Sequence, residues 1–99
     1  MYVYLIRCEE NNYYKIGITK NIERRLKQIQ TGSPDKVYLV EKYQSKYASK
    51  IERTLHNYFM YCHRNNEWFE LTLEDELRFI DLCQSMEKNF IILEENNNF

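Results

Sequence analysis

Met1 to Cys8 alternates between two sets of side chains, Tyr2, Tyr4, Ile6 and Cys8 on one face and Val3, Leu5 and Arg7 on the other. That period of two is the pattern of a strand lying against a core. Glu9-Glu10-Asn11-Asn12 is a polar turn, and Tyr13 to Thr19 resumes the strand pattern, so the two runs predict a hairpin. Asn21 is placed to cap a helix whose apolar residues Ile22, Leu26 and Ile29 recur at i, i+4 and i+7. Gly32-Ser33-Pro34 stops that helix, and Val37 to Tyr43 reads as a third strand.

Ser45 or Ser49 then opens a second helix with Ala48, Ile51, Leu55, Tyr58/Phe59 and Cys62 as its apolar stripe, broken at Asn65-Asn66. Glu67 to Leu71 is a short extended piece. Thr72 with Asp75 forms a capping-box pattern for a third helix, with Leu73, Leu77, Ile80 and Met86 turned inward. Residues 94–99 form a polar tail, leaving residues 1–93 as one domain. The order ββαβα plus a C-terminal helix predicts an α+β fold, a small three-stranded antiparallel sheet flanked by helices.

Ninety-nine residues, 43% hydrophobic and 29% charged, suit one ordinary globular domain. No apolar run approaches the ~18–20 residues of a membrane span, and the N-terminus lacks a signal-peptide pattern. Three cysteines, Cys8, Cys62 and Cys83, contain no CxxC and argue against a disulfide scaffold. The expectation is a soluble chain in the cytoplasm or another reducing, intracellular compartment, with no membrane contact. Nine Tyr and ten Asn give the bias of an AT-rich coding sequence, as in phages, large DNA viruses and low-GC bacteria.

The net charge of −1 conceals an asymmetry. Residues 1–66 hold twelve Lys/Arg against six Asp/Glu, whereas residues 67–99 hold two against nine. The first segment suits an anionic partner, and the acidic segment is a candidate to fold back over it. Lys15, Lys20, Arg24, Arg25 and Lys27 cluster around Gly17 and the start of the first helix, where free N–H groups and a residue without a side chain make a plausible phosphate cradle. Glu52 and His56 share one face of the second helix at the margin of its apolar stripe. Glu52 there suits an oxygen-preferring divalent cation, and His56 suits a ligand or a base near neutral pH; an ordinary surface pair is the simpler alternative. Cys62-His63 with Cys8 or Cys83 matches no standard zinc spacing. Trp68 and Phe69 read as core anchors, and Glu67 and Glu70 as solvated neighbours, with Glu67 a candidate to border a cleft.

Together, Tyr2-Val3-Tyr4-Leu5-Ile6, Lys15-Ile16-Gly17, Asn21 to Leu26 and Glu52 resemble the GIY-YIG endonuclease superfamily, in the phage, viral and bacterial branch whose second signature reads KIG. With His56 and Glu67-Trp68-Phe69 the resemblance reaches about residue 71. It implies hydrolysis of DNA phosphodiesters at a single Mg²⁺ or Mn²⁺. Tyr4 would be a general base or the partner of the attacking water, Gly17 would admit close approach, Arg25 would hold the scissile phosphate, and Glu52 would bind the metal. The sequence departs from the pattern at Tyr2 and Val3, at Lys15 where a second tyrosine is usual, and at Ile29; Lys15 or His56 would have to take over the missing roles.

Three function classes remain: a metal-dependent DNA endonuclease, a binding module that grips nucleic acid (DNA, with RNA not excluded) without cutting it, and a protein-interaction domain using the acidic segment. A chain this small leaves specificity to a homodimer, a protein partner or the shape of the nucleic acid.

Overall fold

In the computed structural model, which describes residues 1–97, five strands make one antiparallel sheet and helices cover both of its faces. The strands are β1 (Tyr2–Cys8), β2 (Tyr13–Thr19), β3 (Val37–Gln44), β4 (His63–Asn65) and β5 (Trp68–Glu70), in the order β3-β1-β2-β5-β4. The helices are α1 (Ile22–Thr31), α2 (Ala48–Tyr58), α3 (Leu73–Leu77) and α4 (Phe79–Glu95). The α+β class stands, and the sheet of three becomes a sheet of five. Isolated on the sequence, the extended piece at Glu67 has no visible partner; in the fold it pairs with β2 and forms a hairpin with residues 63–65.

Strand alternation divides the core as its period requires. Val3, Leu5, Tyr14, Ile16 and Phe69 face α2 and α4 in the larger cluster, with Ile51, Leu55, Phe79, Cys83 and Met86. Tyr4, Ile6 and Cys8 face α1 in the smaller cluster, with Ile29 and Val37. Asn21 caps α1 as its sequence predicts, its side chain accepting from the Arg24 N–H at 3.0 Å.

Three element boundaries need correction. α2 starts at Ala48 with no side-chain cap, because Ser45 instead accepts from the Tyr47 N–H at 3.0 Å; the helix ends at Tyr58, followed by one 3-10 turn over Met60–Cys62. The third helix is two helices. Thr72 and Asp75 form the capping box, but the helix ends at Leu77, Arg78 (ψ −3°) separates the two, and α4 restarts with Phe79, Cys83 and Met86 inward. That restart turns Leu73 and Leu77 outward, 61% and 74% exposed. Finally α4 runs through Glu94 and Glu95, so the tail expected from residue 94 is helical at its start, and its last two positions lie outside the described residues.

Of the acidic segment, Glu67 reaches the basic cluster, pairing with Lys15 and Arg25, whereas the carboxylates of α4 do not. α4 lies on the sheet face opposite α1, where Glu87 accepts from Ser45 at 2.6 Å and from Tyr43, and Glu94 accepts from Tyr47 and pairs with Lys46 at 3.5 Å.

Candidate active site

Tyr4 and Gly17 are cross-strand partners on the α1 side of the sheet. The Tyr4 ring extends across position 17: a Cβ there would sit 2.3 Å from the phenol oxygen and 2.5 Å from Cζ. Glycine at 17 is therefore the condition for Tyr4 to reach its neighbours. One of these is Arg25, on the inner face of α1, whose Nε donates to the Tyr4 oxygen at 3.2 Å.

Glu67 meets them from the other side. It sits in the turn between β4 and β5, where Asn66 takes a left-handed φ of 51°, a conformation asparagine tolerates better than branched residues. Its Oε1 accepts from the Tyr4 hydroxyl at 3.5 Å, and lies 3.6 Å from Lys15 Nζ and 3.8 Å from Arg25 Nη2. A hydroxyl, an ammonium and a guanidinium thus converge on one carboxylate oxygen. Sequence reasoning placed Glu67 among solvated residues with a cleft margin as its alternative. The missed signal was a two-residue turn, Asn66-Glu67, between short runs that pair as a hairpin.

Burial raises the Tyr4 pKa above the usual phenol value; the hydrogen bond from Arg25 opposes that, and the charges of Glu67 and Glu52 reinforce it. Burial outweighs the Arg25 guanidinium here, because the ring is almost wholly enclosed and the Glu67 carboxylate stands beside it. Tyr4 is a neutral phenol at physiological pH, able to donate and accept at once.

Glu52 and His56 project from α2. Burial raises the Glu52 pKa above the ordinary carboxyl value; His56 opposes this, Glu67 adds to it, and Arg53 opposes it more weakly. The Glu52 and Glu67 carboxylates thus lie within electrostatic reach of one another. His56 Nε2 is 2.8 Å from the Ile16 carbonyl, so that nitrogen carries the hydrogen and donates, and the ring packs edge-on to Phe69 at 4.9 Å. Its visible work is to tie α2 to β2. Lys20, Arg24 and Lys27 are exposed, and Arg24 and Lys27 line a separate shallow groove along the outer side of α1. The structure brings Tyr4, Lys15, Gly17 and Arg25 together, sets Glu52 within electrostatic reach, and leaves Lys20, Arg24 and Lys27 outside the cluster.

Among the described residues no group of three His, Cys, Asp or Glu converges. Glu52, half-buried, and Glu67, within electrostatic reach of it, are the carboxylates that could take part in holding a cation.

From Lys15 and Arg25 an open groove of about 500 Å³ continues past Trp68, Tyr13 and Arg64 to the loop after α1. Trp68, expected as a core anchor, is only half-buried and carries Lys15 Nζ 5.1 Å above its ring.

The family model of the T5orf172 domain matches residues 1–84. An uncharacterized protein, 460R, of Invertebrate iridescent virus 6 is 38% identical over 73 residues, 69% of this chain and 33% of that protein. The chain thus spans about a third of that relative's length. No solved structure gives a significant match. The T5orf172 match assigns a different family from GIY-YIG and corrects the resemblance drawn from the spaced motif. Tyr4, Gly17 and Arg25 satisfy a packing requirement, a ring crossing a glycine to meet a helix, and that requirement does not by itself name a family.

Proposed function

The chain belongs to the T5orf172 domain family, and from that premise we propose that it is an endonuclease that hydrolyses DNA phosphodiester bonds with a divalent metal ion. The observation that carries this reading is the convergence of Tyr4, Lys15 and Arg25 on a single oxygen. A phosphodiester is anionic and repels nucleophiles, so cleavage needs fixed positive charge and a positioned water. Membership in a family of nuclease-like, DNA-binding domains supports the same conclusion.

Arg25 holds a non-bridging phosphate oxygen with a permanent, planar charge, and Lys15 adds a second, mobile one. Both are loosely engaged by Glu67 beforehand, so the site stays organised without substrate. Tyr4 orients the attacking water. As water loses its proton to the phenol oxygen, the phenol passes its own proton to Glu67 Oε1, and no free phenolate is needed. Glu52 would hold Mg²⁺ or Mn²⁺, which when bound polarises the phosphoryl oxygen and stabilises the leaving alkoxide.

The test is nicking and linearisation of supercoiled plasmid with Mg²⁺ or Mn²⁺, beside Arg25→Ala and Glu52→Ala. Arg25→Ala should slow cleavage on the order of 10²–10³-fold, by analogy with other transition-state donors. Metal-independent cutting, or full activity in either variant, would sink the proposal. The exposed Lys20, Arg24 and Lys27 favour one second reading, a domain of the same architecture that binds DNA without cutting; its mark would be salt-sensitive binding by a wild-type chain that never cleaves.

A further inference from the structure

α1 covers β1 and β3 on its side of the sheet, and the side chains of β2 and β5 on that same side line the open groove instead. Tyr13, Lys15 and Gly17 alternate along β2, with Trp68 opposite Lys15 and Glu70 opposite Tyr13. Tyr13 is 38% exposed and Trp68 half-buried, while the reverse side of the same strands, Tyr14, Ile16 and Phe69, is fully enclosed. The sheet thus leaves Tyr13 exposed and Trp68 partly exposed beside the Tyr4–Lys15–Arg25 cluster. Lys15 and Arg25 belong to both the cluster and the groove, and Arg64, held by Glu70 at 3.0 Å, stands at the far side.

We propose that this uncovered sheet surface binds single-stranded DNA, with bases stacked on Tyr13 and Trp68 and the backbone passing from Arg25 and Lys15 toward Arg64. The inference rests on the reading of Tyr4, Lys15 and Arg25 as a phosphate site. Aromatic faces gain little from an intact duplex, whose bases are already stacked on one another, but they stabilise unstacked bases of any sequence. Cations on both sides of the rings match a ligand whose charge repeats along its length. Lys15, resting on Trp68, is displaced toward the phosphate when a base takes its place, which couples base stacking to loading of the cluster. The domain would then cut where a strand is already open, at a frayed end, flap or branch.

Trp68 is the single tryptophan, so its emission reports on this surface alone. The full chain is titrated, without divalent metal, with an oligothymidylate of roughly twelve residues and with a duplex of the same length, within the site sizes such surfaces cover. Expected are quenching of Trp68 by the single strand, affinity about tenfold above the duplex, and a roughly tenfold loss in Tyr13→Ala with its circular dichroism and salt dependence retained. Tyr13→Leu, which keeps an apolar side chain without a stacking face, should lose as much. No quenching, equal affinity for the duplex, or unchanged binding by both Tyr13 variants would overturn the proposal. So would tighter binding of an oligouridylate, which would assign RNA, or equal quenching by a polyglutamate peptide, which would assign a protein partner. Because no metal is present, a chain that cannot cleave can still meet the expected result, and failure here leaves cleavage through Arg25 and Glu52 standing.

Discussion

The Tyr4 ring occupies the space that any side chain at position 17 would need, with its oxygen 2.3 Å from where a Cβ would lie. Tyr4 is 1% exposed, so the ring has nowhere to retreat. Gly17→Ala should therefore destabilise the fold by about 1–3 kcal/mol, the usual cost of overpacking. The added methyl should also break the hydrogen bond from Arg25 and reduce cleavage. Chemical denaturation checks the first effect. Pairing Gly17→Ala with Tyr4→Leu should recover part of the lost stability, because the two sites share one volume, and strict additivity would count against this packing.

Asn66 sets the position of Glu67 through its φ of 51°. Asn66→Gly should leave stability and cleavage near wild type. Asn66→Val should cost about 1–2 kcal/mol, the penalty of a branched side chain in the left-handed region, and should reduce activity by displacing Glu67. Equal behaviour of the two variants in thermal unfolding would mean that the turn does not depend on this conformation.

The parts of this site legible in the sequence are those set by local rules. Tyr4 and Gly17 share a face because strands alternate, and Arg25 lies near the strand end because Asn21 caps α1 just before it. Glu67 was legible only as a candidate to border a cleft, and its convergence with Tyr4, Lys15 and Arg25 was not, because that depends on β5 pairing with β2, a contact between segments some fifty residues apart in the chain. The break at Arg78 was hidden for a similar reason. Continuous helical spacing from Leu73 to Met86 fits one helix, but the core accepts only the face bearing Phe79, Cys83 and Met86. Charge asymmetry suggested an acidic segment over the basic cluster, yet charge totals carry no direction: of its described carboxylates Glu67 alone reaches Lys15 and Arg25, and α4 anchors its carboxylates on Ser45, Tyr43, Tyr47 and Lys46.

Truncation after Lys88 tests that last point. It removes Glu94 from Tyr47 and Lys46 but takes no group from the Tyr4–Arg25 cluster. DNA affinity should stay within about twofold of wild type, since exposed charges beyond a Debye length are largely screened, while the melting temperature falls. A marked gain in affinity would restore the idea of a C-terminal cover.

Glu52 should trade stability against activity. Its folded pKa lies above the unfolded value, chiefly through burial, so the folded state holds its proton more tightly. Its stabilising contribution is complete below the unfolded pKa and is lost as pH rises through the folded one. At neutral pH the charged carboxylate is therefore a burden, and Glu52→Gln should raise the melting temperature while abolishing metal-dependent cleavage. The gain should vanish at acid pH, where the native carboxyl is also neutral. Mg²⁺ should stabilise wild type and leave Glu52→Gln unmoved. A variant that melts lower than wild type at neutral pH would show that Glu52 is held by contacts that outweigh its burial.

Glu67 should have opposite effects on binding and on rate. Its carboxylate shares one oxygen among Tyr4, Lys15 and Arg25, the groups assigned to phosphate. Glu67→Gln removes that internal competitor, so DNA should bind more tightly and the salt dependence should steepen by about one unit in the slope of log K against log salt, as one further cation becomes available. The same change removes the acceptor for the Tyr4 proton, so single-turnover cleavage should slow even as affinity rises. Anisotropy titrations over a range of salt, beside single-turnover rates, separate the two effects. Tighter binding with an unchanged rate would keep Glu67 as a competitor and remove it from the proton path; weaker binding would mean that it organises the cations more than it opposes the phosphate.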